Sequence, residues 1–160
     1  MAIANITDDT TQALEAFRRL NVDDQLAFLW FVYTKMGDSI TPAAPGRAAE
    51  EVAEGLFNQV KELSHEEQLQ VQRDLLTNAD TLYSREYGSF SANTKLLFWY
   101  RLAQGMESAT IVPMPPNYEL QGEAKELLGA IEGADFEQQI TFLRDSVAPT
   151  GAEPKPGAEI

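Results

Sequence analysis

Along nearly the whole chain, apolar residues recur three or four positions apart, the spacing that lays them along one side of an α-helix. No stretch of four or more residues alternates cleanly between apolar and polar with turn residues at both ends. The pattern predicts an all-α fold, with helices near residues 8–19, 22–36, 46–62, 65–77, 79–87, 92–107, 122–132 and 136–147. Capping residues mark their ends. Asn21, followed by acidic Asp23 and Asp24, opens the second helix, because a short polar side chain can accept from the free amides of the first turn. Gly37 closes that helix, since glycine takes the left-handed backbone conformation at little cost. "SHEE" (Ser64 to Glu67) and "DFEQ" (Asp135 to Gln138) have capping-box spacing.

Two irregular stretches break the helical rhythm, "SITPAAPG" (Ser39 to Gly46) and "TIVPMPPNY" (Thr110 to Tyr118). They join prolines to apolar side chains rather than to the polar residues of ordinary loops. Proline lacks a backbone donor and fixes φ, so such segments can lie against apolar surface with few amides left to satisfy, and both are expected to be docked. From Ala148 the sequence "APTGAEPKPGAEI" loses periodicity and has the composition of a flexible extension or linker.

Two helices carry more apolar surface than one packing contact needs. In "LAFLWFVYTKMG" (Leu26 to Gly37), Leu26, Trp30, Tyr33 and Gly37 form one stripe, and Leu29, Val32 and Met36 form its neighbour. In "NTKLLFWYRLAQGM" (Asn93 to Met106), Trp99, Ala103 and Met106 align, flanked by Leu96 and Tyr100. The two segments echo one another, which suggests two helical subdomains. One reading buries both helices at the centre of a bundle. The other makes them walls of a ligand groove, with flat aromatic faces and adaptable methionine, and with Gly37, Ala103 and Gly105 leaving clearance for the ligand.

Composition narrows the chemistry. A chain of 160 residues fits one or two small domains and buries roughly two thirds of its unfolded surface. It has no cysteine, so disulfides, thiolate metal sites and cysteine nucleophiles are excluded. A formal net charge of −13 opposes binding to nucleic acid or anionic lipid. No apolar run reaches the ~18 residues of a membrane span and the start has no leader pattern, so a cytoplasmic protein is expected. Catalysis has little to stand on. The lone His65 sits in a helix cap, and neighbours such as Glu50 and Glu51 point about 100° apart. Phosphate loops, nucleophile elbows and metal-ligand clusters are absent from the sequence, which therefore reads as a non-enzyme. Among the arginines, Arg18, Arg19, Arg47, Arg73 and Arg85 fall on polar faces. Arg144 is set among Ile140, Phe142, Leu143 and Val147, either snorkelling from the core edge or marking the mouth of a groove.

Five ordered motifs, "DQLAFLWFVYTKMG", "AAPG", "NTKLLFWYRLAQGM", "VPMPPNY" and "QQITFLRDSV", resemble in order and spacing the N-terminal domain of the cyanobacterial orange carotenoid protein family. The similarity runs from about Leu20 to Val147. It implies two interdigitated four-helix bundles with a ketocarotenoid, of canthaxanthin or echinenone type, in a groove between them. It also implies a chloride ion. Carried over by motif, the lining residues are Leu26, Trp30 and Tyr33, then Ala44, Pro45 and Gly46 of the first proline loop. The second aromatic helix supplies Asn93, Leu96, Trp99, Tyr100, Ala103 and Met106. Met114 and Pro115 follow from the second loop, and Ile140 and Arg144 from the last helix. Ala103 stands where the family's glycine is usual, Met114 where isoleucine is usual and Phe90 where tryptophan is usual; none puts charge in the groove.

What the resemblance implies for function is photoprotection, by quenching singlet oxygen and by draining energy from the phycobilisome antenna at the thylakoid surface. A carotenoid-binding domain over residues 1–147 and a flexible tail over 148–160 are expected. A chain ending at Ile160 resembles the stand-alone helical form of the domain, which without the family's C-terminal domain is expected not to photoswitch. Candidate protein partners are a C-terminal-domain homologue and the phycobilisome. The competing expectations are a helical antenna-interaction module, whose aromatics are core, and a carotenoid carrier without quenching activity.

Overall fold

The computed structural model describes residues 10–36, 50–115 and 117–152, and among these all regular structure is helical. The helices are α1 (Thr11–Arg19), α2 (Val22–Met36), α3 (Glu50–Lys61), α4 (His65–Leu76), α5 (Leu82–Gly88), α6 (Ala92–Glu107), α7 (Gly122–Glu132) and α8 (Phe136–Val147). The caps foreseen in the sequence form. Ser64 Oγ accepts from the Glu67 amide at 3.1 Å while the Ser64 amide donates to Glu67 Oε1 at 3.0 Å. These bonds hold the Glu67 carboxyl below its ordinary value of 4.5, chiefly through the Ser64 amide. Asp135 and Gln138 make the same reciprocal pair at 2.8 and 3.2 Å, and Asn21 Oδ1 accepts from the Asp24 amide at 2.8 Å. Gly37, the "SITPAAPG" stretch and its Ala44, Pro45 and Gly46 lie outside the described residues.

Two helix starts differ from expectation by three residues, and the ends of α3, α4 and α5 by one. α1 begins at Thr11, after Thr10 at its cap, and α5 begins at Leu82 instead of Ala79 because Asn78 ends α4 with φ of 60°. Its amide and that of Ala79 return to the carbonyls of Leu75 and Asp74 at 3.4 and 3.0 Å, the closure that a left-handed residue permits. Ala79 is thereby spent on ending α4, and Thr81, accepting from the Ser84 amide at 3.1 Å, starts the next helix.

The chain divides into two compact units whose segments alternate along the sequence. The first contains α1, α2, α7 and α8, the last as far as Ser146. Its centre is Phe17, Phe28 and Phe142, all essentially buried, with ring centroids 5.6 to 6.2 Å apart and mostly edge-on. Leu127, Ile131 and Leu143 close around them. Burying each of these side chains contributes about 1.5–3 kcal/mol, so apolar packing dominates this unit, whereas the Arg19–Glu123 pair, at 3.8 Å and half exposed, contributes little.

The second unit contains α3 to α6 and the segment from Val147. Tyr87, Phe90, Phe98 and Trp99 form its aromatic centre. Buried Gln68 ties it together: Nε2 faces the carbonyls of Val60, Lys61, Leu63 and Thr110 at 3.2–3.4 Å, and Oε1 accepts from the Val112 amide at 2.8 Å. One amide side chain thus satisfies carbonyls at the end of α3 and docks the start of the second proline loop, where Ile111 is fully buried. Residues 148–152, expected from sequence to begin a flexible tail, are fastened to this unit. The Gly151 amide donates to Leu75 O at 2.8 Å and the Ala152 amide to Ser84 Oγ at 2.9 Å. The segment contributes its backbone amides to these bonds, groups whose partners composition does not report.

Candidate functional site

At about 100° per residue, the six candidates on α6 share one arc of about 140°. Leu96, Trp99 and Ala103 are buried on it, while Asn93, Tyr100 and Met106 are partly exposed. Phe98, Leu102 and Gly105 occupy the opposite arc and are buried as well. Asn93 Oδ1 is buried without a hydrogen-bond partner among the described residues. In the first unit, α2 divides similarly. Phe28 and Val32, fully buried, face its aromatic centre, and Leu26, Trp30 and Tyr33 fall on the other side of the helix. Leu26 and Trp30 remain partly exposed, and Tyr33 is buried. Met114 is partly buried and Pro115 exposed. Ile140 and Arg144 lie one turn apart on α8, both partly exposed. Arg144, in the last turn, has no ion pair among the described residues.

Trp99 is more constrained than a groove wall alone requires. Its indole N–H donates to Tyr87 Oη at 2.7 Å, and Tyr87 Oη lies 2.7 Å from Thr150 Oγ1, which lies 2.5 Å from Val147 O. The ends set the direction of this relay. Indole only donates and a carbonyl only accepts, so Tyr87 donates to Thr150 and Thr150 to Val147. With its N–H consumed internally, Trp99 can offer a ligand only its flat apolar surface. Burial also holds the Tyr87 phenol far above its ordinary value of 10.0, against the opposing pull of the Thr150 and Trp99 hydrogen bonds.

Lys95 completes the arrangement. It is 5% exposed, donates from Nζ to the carbonyls of Ala148 and Thr150 at 2.7 and 2.8 Å, and stands 5.3 Å from the centre of the Tyr87 ring. Burial pushes its ammonium below the usual lysine range. Tyr87, Lys95 and Thr150 were not among the sequence-derived site residues. Lys95 carried a signal, a charge set directly before the apolar run "LLFWY"; Thr150, in a stretch without periodicity, carried none.

One small-residue expectation changes. The space above Gly105, read from sequence as ligand clearance, is filled by the chain itself. A Cβ there would stand 2.5 Å from Ile111 Cγ1 and 3.3 Å from Phe57. Gly88 is small for the same reason, since its Cβ would collide with the Ala152 carbonyl. An open cleft of about 650 Å³ lies within the second unit between α3 and α6. Its walls carry Glu50, Glu51, Glu54 and the Arg101 that pairs with Glu54 at 2.6 Å, which suits no apolar ligand; of the α6 candidates, Tyr100 alone lines it. Among the described residues, no group of three or more His, Cys, Asp or Glu could hold a metal, and no helix is long and apolar enough to cross a membrane.

The family model described as "Orange carotenoid protein, N-terminal" matches residues 4–153. An orange carotenoid-binding domain-containing protein of a Nostoc species is 50% identical over 147 residues, covering 92% of this chain and 86% of that protein. The solved Red Carotenoid Protein of Anabaena (Nostoc), binding canthaxanthin, is 55% identical with a TM-score of 0.79, covering 89% of this chain and 98% of that one. The Orange Carotenoid Protein of the same organism, also solved binding canthaxanthin, is 41% identical with a TM-score of 0.81. It aligns with 90% of this chain, which spans only 46% of its length. Helical architecture, motif order and a match across almost all residues agree, and the chain belongs to the orange carotenoid protein N-terminal family.

Proposed function

We propose that this protein binds a ketocarotenoid of the canthaxanthin or echinenone type and serves in photoprotection. The observation that carries the reading is the second apolar stripe on each of two helices. On α2, Leu26, Trp30 and Tyr33 turn away from the side that Phe28 gives to the aromatic centre. On α6, Leu96, Trp99, Ala103 and Met106 lie opposite Phe98 and Gly105. A long, rigid polyene is apolar along its length and needs flat walls, which indole and phenol faces supply, and its burial yields about 25 cal/mol per Å² of apolar surface. Asn93, Tyr100, Met114, Pro115, Ile140 and Arg144, with Ala44, Pro45 and Gly46, complete the proposed lining, and a chloride ion accompanies it. The pigment carries the photophysics, while the protein supplies solubility and a planar restraint on the chain of double bonds. The proposed domain extends through the fastened segment to Ala152.

In this reading the bound pigment quenches singlet oxygen in the cytoplasm, and Arg144, partly exposed and without an ion pair among the described residues, offers a docking charge to a carboxylate on a C-terminal-domain homologue or on the phycobilisome. The test is production in a host that makes canthaxanthin. The protein is expected to purify coloured, with a visible band red-shifted and broadened relative to the pigment in organic solvent. Trp30→Ala and Trp99→Ala are expected to lower pigment per protein, with thermal stability measured alongside because deleting a core indole costs about 3–5 kcal/mol. A colourless wild type, or full loading in both variants, overturns the proposal. Unchanged fluorescence of phycobilisomes mixed with coloured protein would confine the role to singlet oxygen.

A further inference from the structure

We infer that Tyr87 is a positioning residue for the pigment wall, and that the segment from Val147 to Ala152 is a working part of the site because it sets the Tyr87 hydroxyl. The inference rests on the pigment-binding reading above. A wall residue acts through the plane of its ring, and an indole held only by apolar contact can rock about its side-chain torsions. Trp99 is held at a polar point as well. The Tyr87 hydroxyl takes the indole N–H at 2.7 Å, and the Tyr87 ring stands edge-on to Trp99 with centroids 6.4 Å apart. Tyr87 can do this only if its own proton points elsewhere, and Thr150 Oγ1, 2.7 Å away, receives it. Thr150 is oriented in turn by Val147 O, and its backbone is held by Lys95.

Close packing holds the segment at the one height where this relay closes. Gly88 leaves room for the Ala152 carbonyl, and Gly151, at φ of 88°, lies against the Tyr87 ring, where a Cβ would stand 2.6 Å from Cδ1. A segment serving only to finish the fold would need none of the hydroxyl geometry; phenylalanine at position 87 and valine at 150 would fill the same space. Orientation of Trp99 is therefore what the two hydroxyls add.

The test compares Tyr87→Phe and Thr150→Val with Ser84→Ala, which removes one of the two acceptors of the Ala152 amide, leaves the Ser84 carbonyl at 3.2 Å to hold the segment in place, and so weakens its attachment without touching the relay. Two readouts are taken. In pigment-free protein, the indole N–H resonance of Trp99, one of only two tryptophans, is followed by NMR with its exchange rate. In pigment-loaded protein, the position and width of the visible band are followed. Tyr87→Phe is expected to shift the Trp99 indole resonance, to speed its exchange about tenfold, and to move the visible band. Thr150→Val is expected to act in the same direction with smaller amplitude, and Ser84→Ala to leave both readouts in place while lowering the melting temperature. An unchanged indole resonance in Tyr87→Phe overturns the inference whatever the pigment does. A shifted resonance with an unmoved band, or a band moved equally by Ser84→Ala, also overturns it. Wild-type protein that takes up no pigment, with the relay intact by NMR, overturns the pigment-binding reading instead, and the functional half of this inference with it.

Discussion

Replacing Lys95 with methionine tests how the 148–152 segment is held. The change keeps an unbranched side chain of similar length and removes the ammonium. Two bonds disappear, to Ala148 O at 2.7 Å and to Thr150 O at 2.8 Å. Hydrogen bonds from a charged donor contribute about 1.5–3 kcal/mol each, hence about 3–6 kcal/mol together. Against this, the buried ammonium carries a desolvation cost of several kcal/mol, the same burial that lowers its pKa, and the variant no longer bears it. The net loss expected is about 1–3 kcal/mol. The variant also has an escape that limits the loss: releasing the segment returns both carbonyls to water, at the expense of the Thr150, Gly151 and Ala152 bonds. Urea denaturation reads the global change, and hydrogen exchange at the Gly151 and Ala152 amides reads the local one. Those amides are expected to lose roughly tenfold or more in protection, since about 1.4 kcal/mol corresponds to a factor of ten. Unchanged stability with unchanged exchange at both amides would refute the clamp.

Gly105→Ala is expected to cost about 1–3 kcal/mol, because its Cβ would press on Ile111. Ile111→Ala in the same chain should recover part of that, and a double-mutant cycle in urea with no coupling would remove the steric explanation. Alkaline stability should depend on Tyr87. Its pKa is raised in the folded protein, so its contribution is fully present below 10.0 and is lost as pH rises beyond it, where only the unfolded phenol ionises. The slope of stability against pH above 10.0 should be shallower in Tyr87→Phe by up to about 1.4 kcal/mol per pH unit, measured by denaturation at successive alkaline pH values; equal slopes in the two proteins contradict the assignment.

Much of the architecture was legible before any coordinates. The caps at Asn21, Ser64 and Asp135 involve partners three residues away, so local spacing states them completely. The doubled apolar stripes of α2 and α6 were visible for the same reason, since helical periodicity places a residue on a face whatever packs there. Motif order along the chain pointed to the right family. The start of α5 was misplaced because "NADT" holds two capping residues, and only the backbone shows Asn78 ending one helix while Thr81 begins the next.

What the amino-acid sequence determined by itself is therefore the set of helices, their signals of beginning and ending, and the faces that carry apolar side chains. Tertiary structure decided what each face and each small residue meets. Tyr87 finds Thr150 across 63 positions, Lys95 finds Ala148 across 53, and Gln68 finds Val112 across 44. Such pairs leave no periodic trace, because the partners lie dozens of positions apart; Lys95 and Gln68 moreover meet backbone groups that all residues share, and only Tyr87 and Thr150 pair through two side chains. Gly105 likewise looks identical in sequence whether it makes way for a ligand or for Ile111. The difference lies in where a loop six residues further on is pinned, and that is set by a glutamine on another helix.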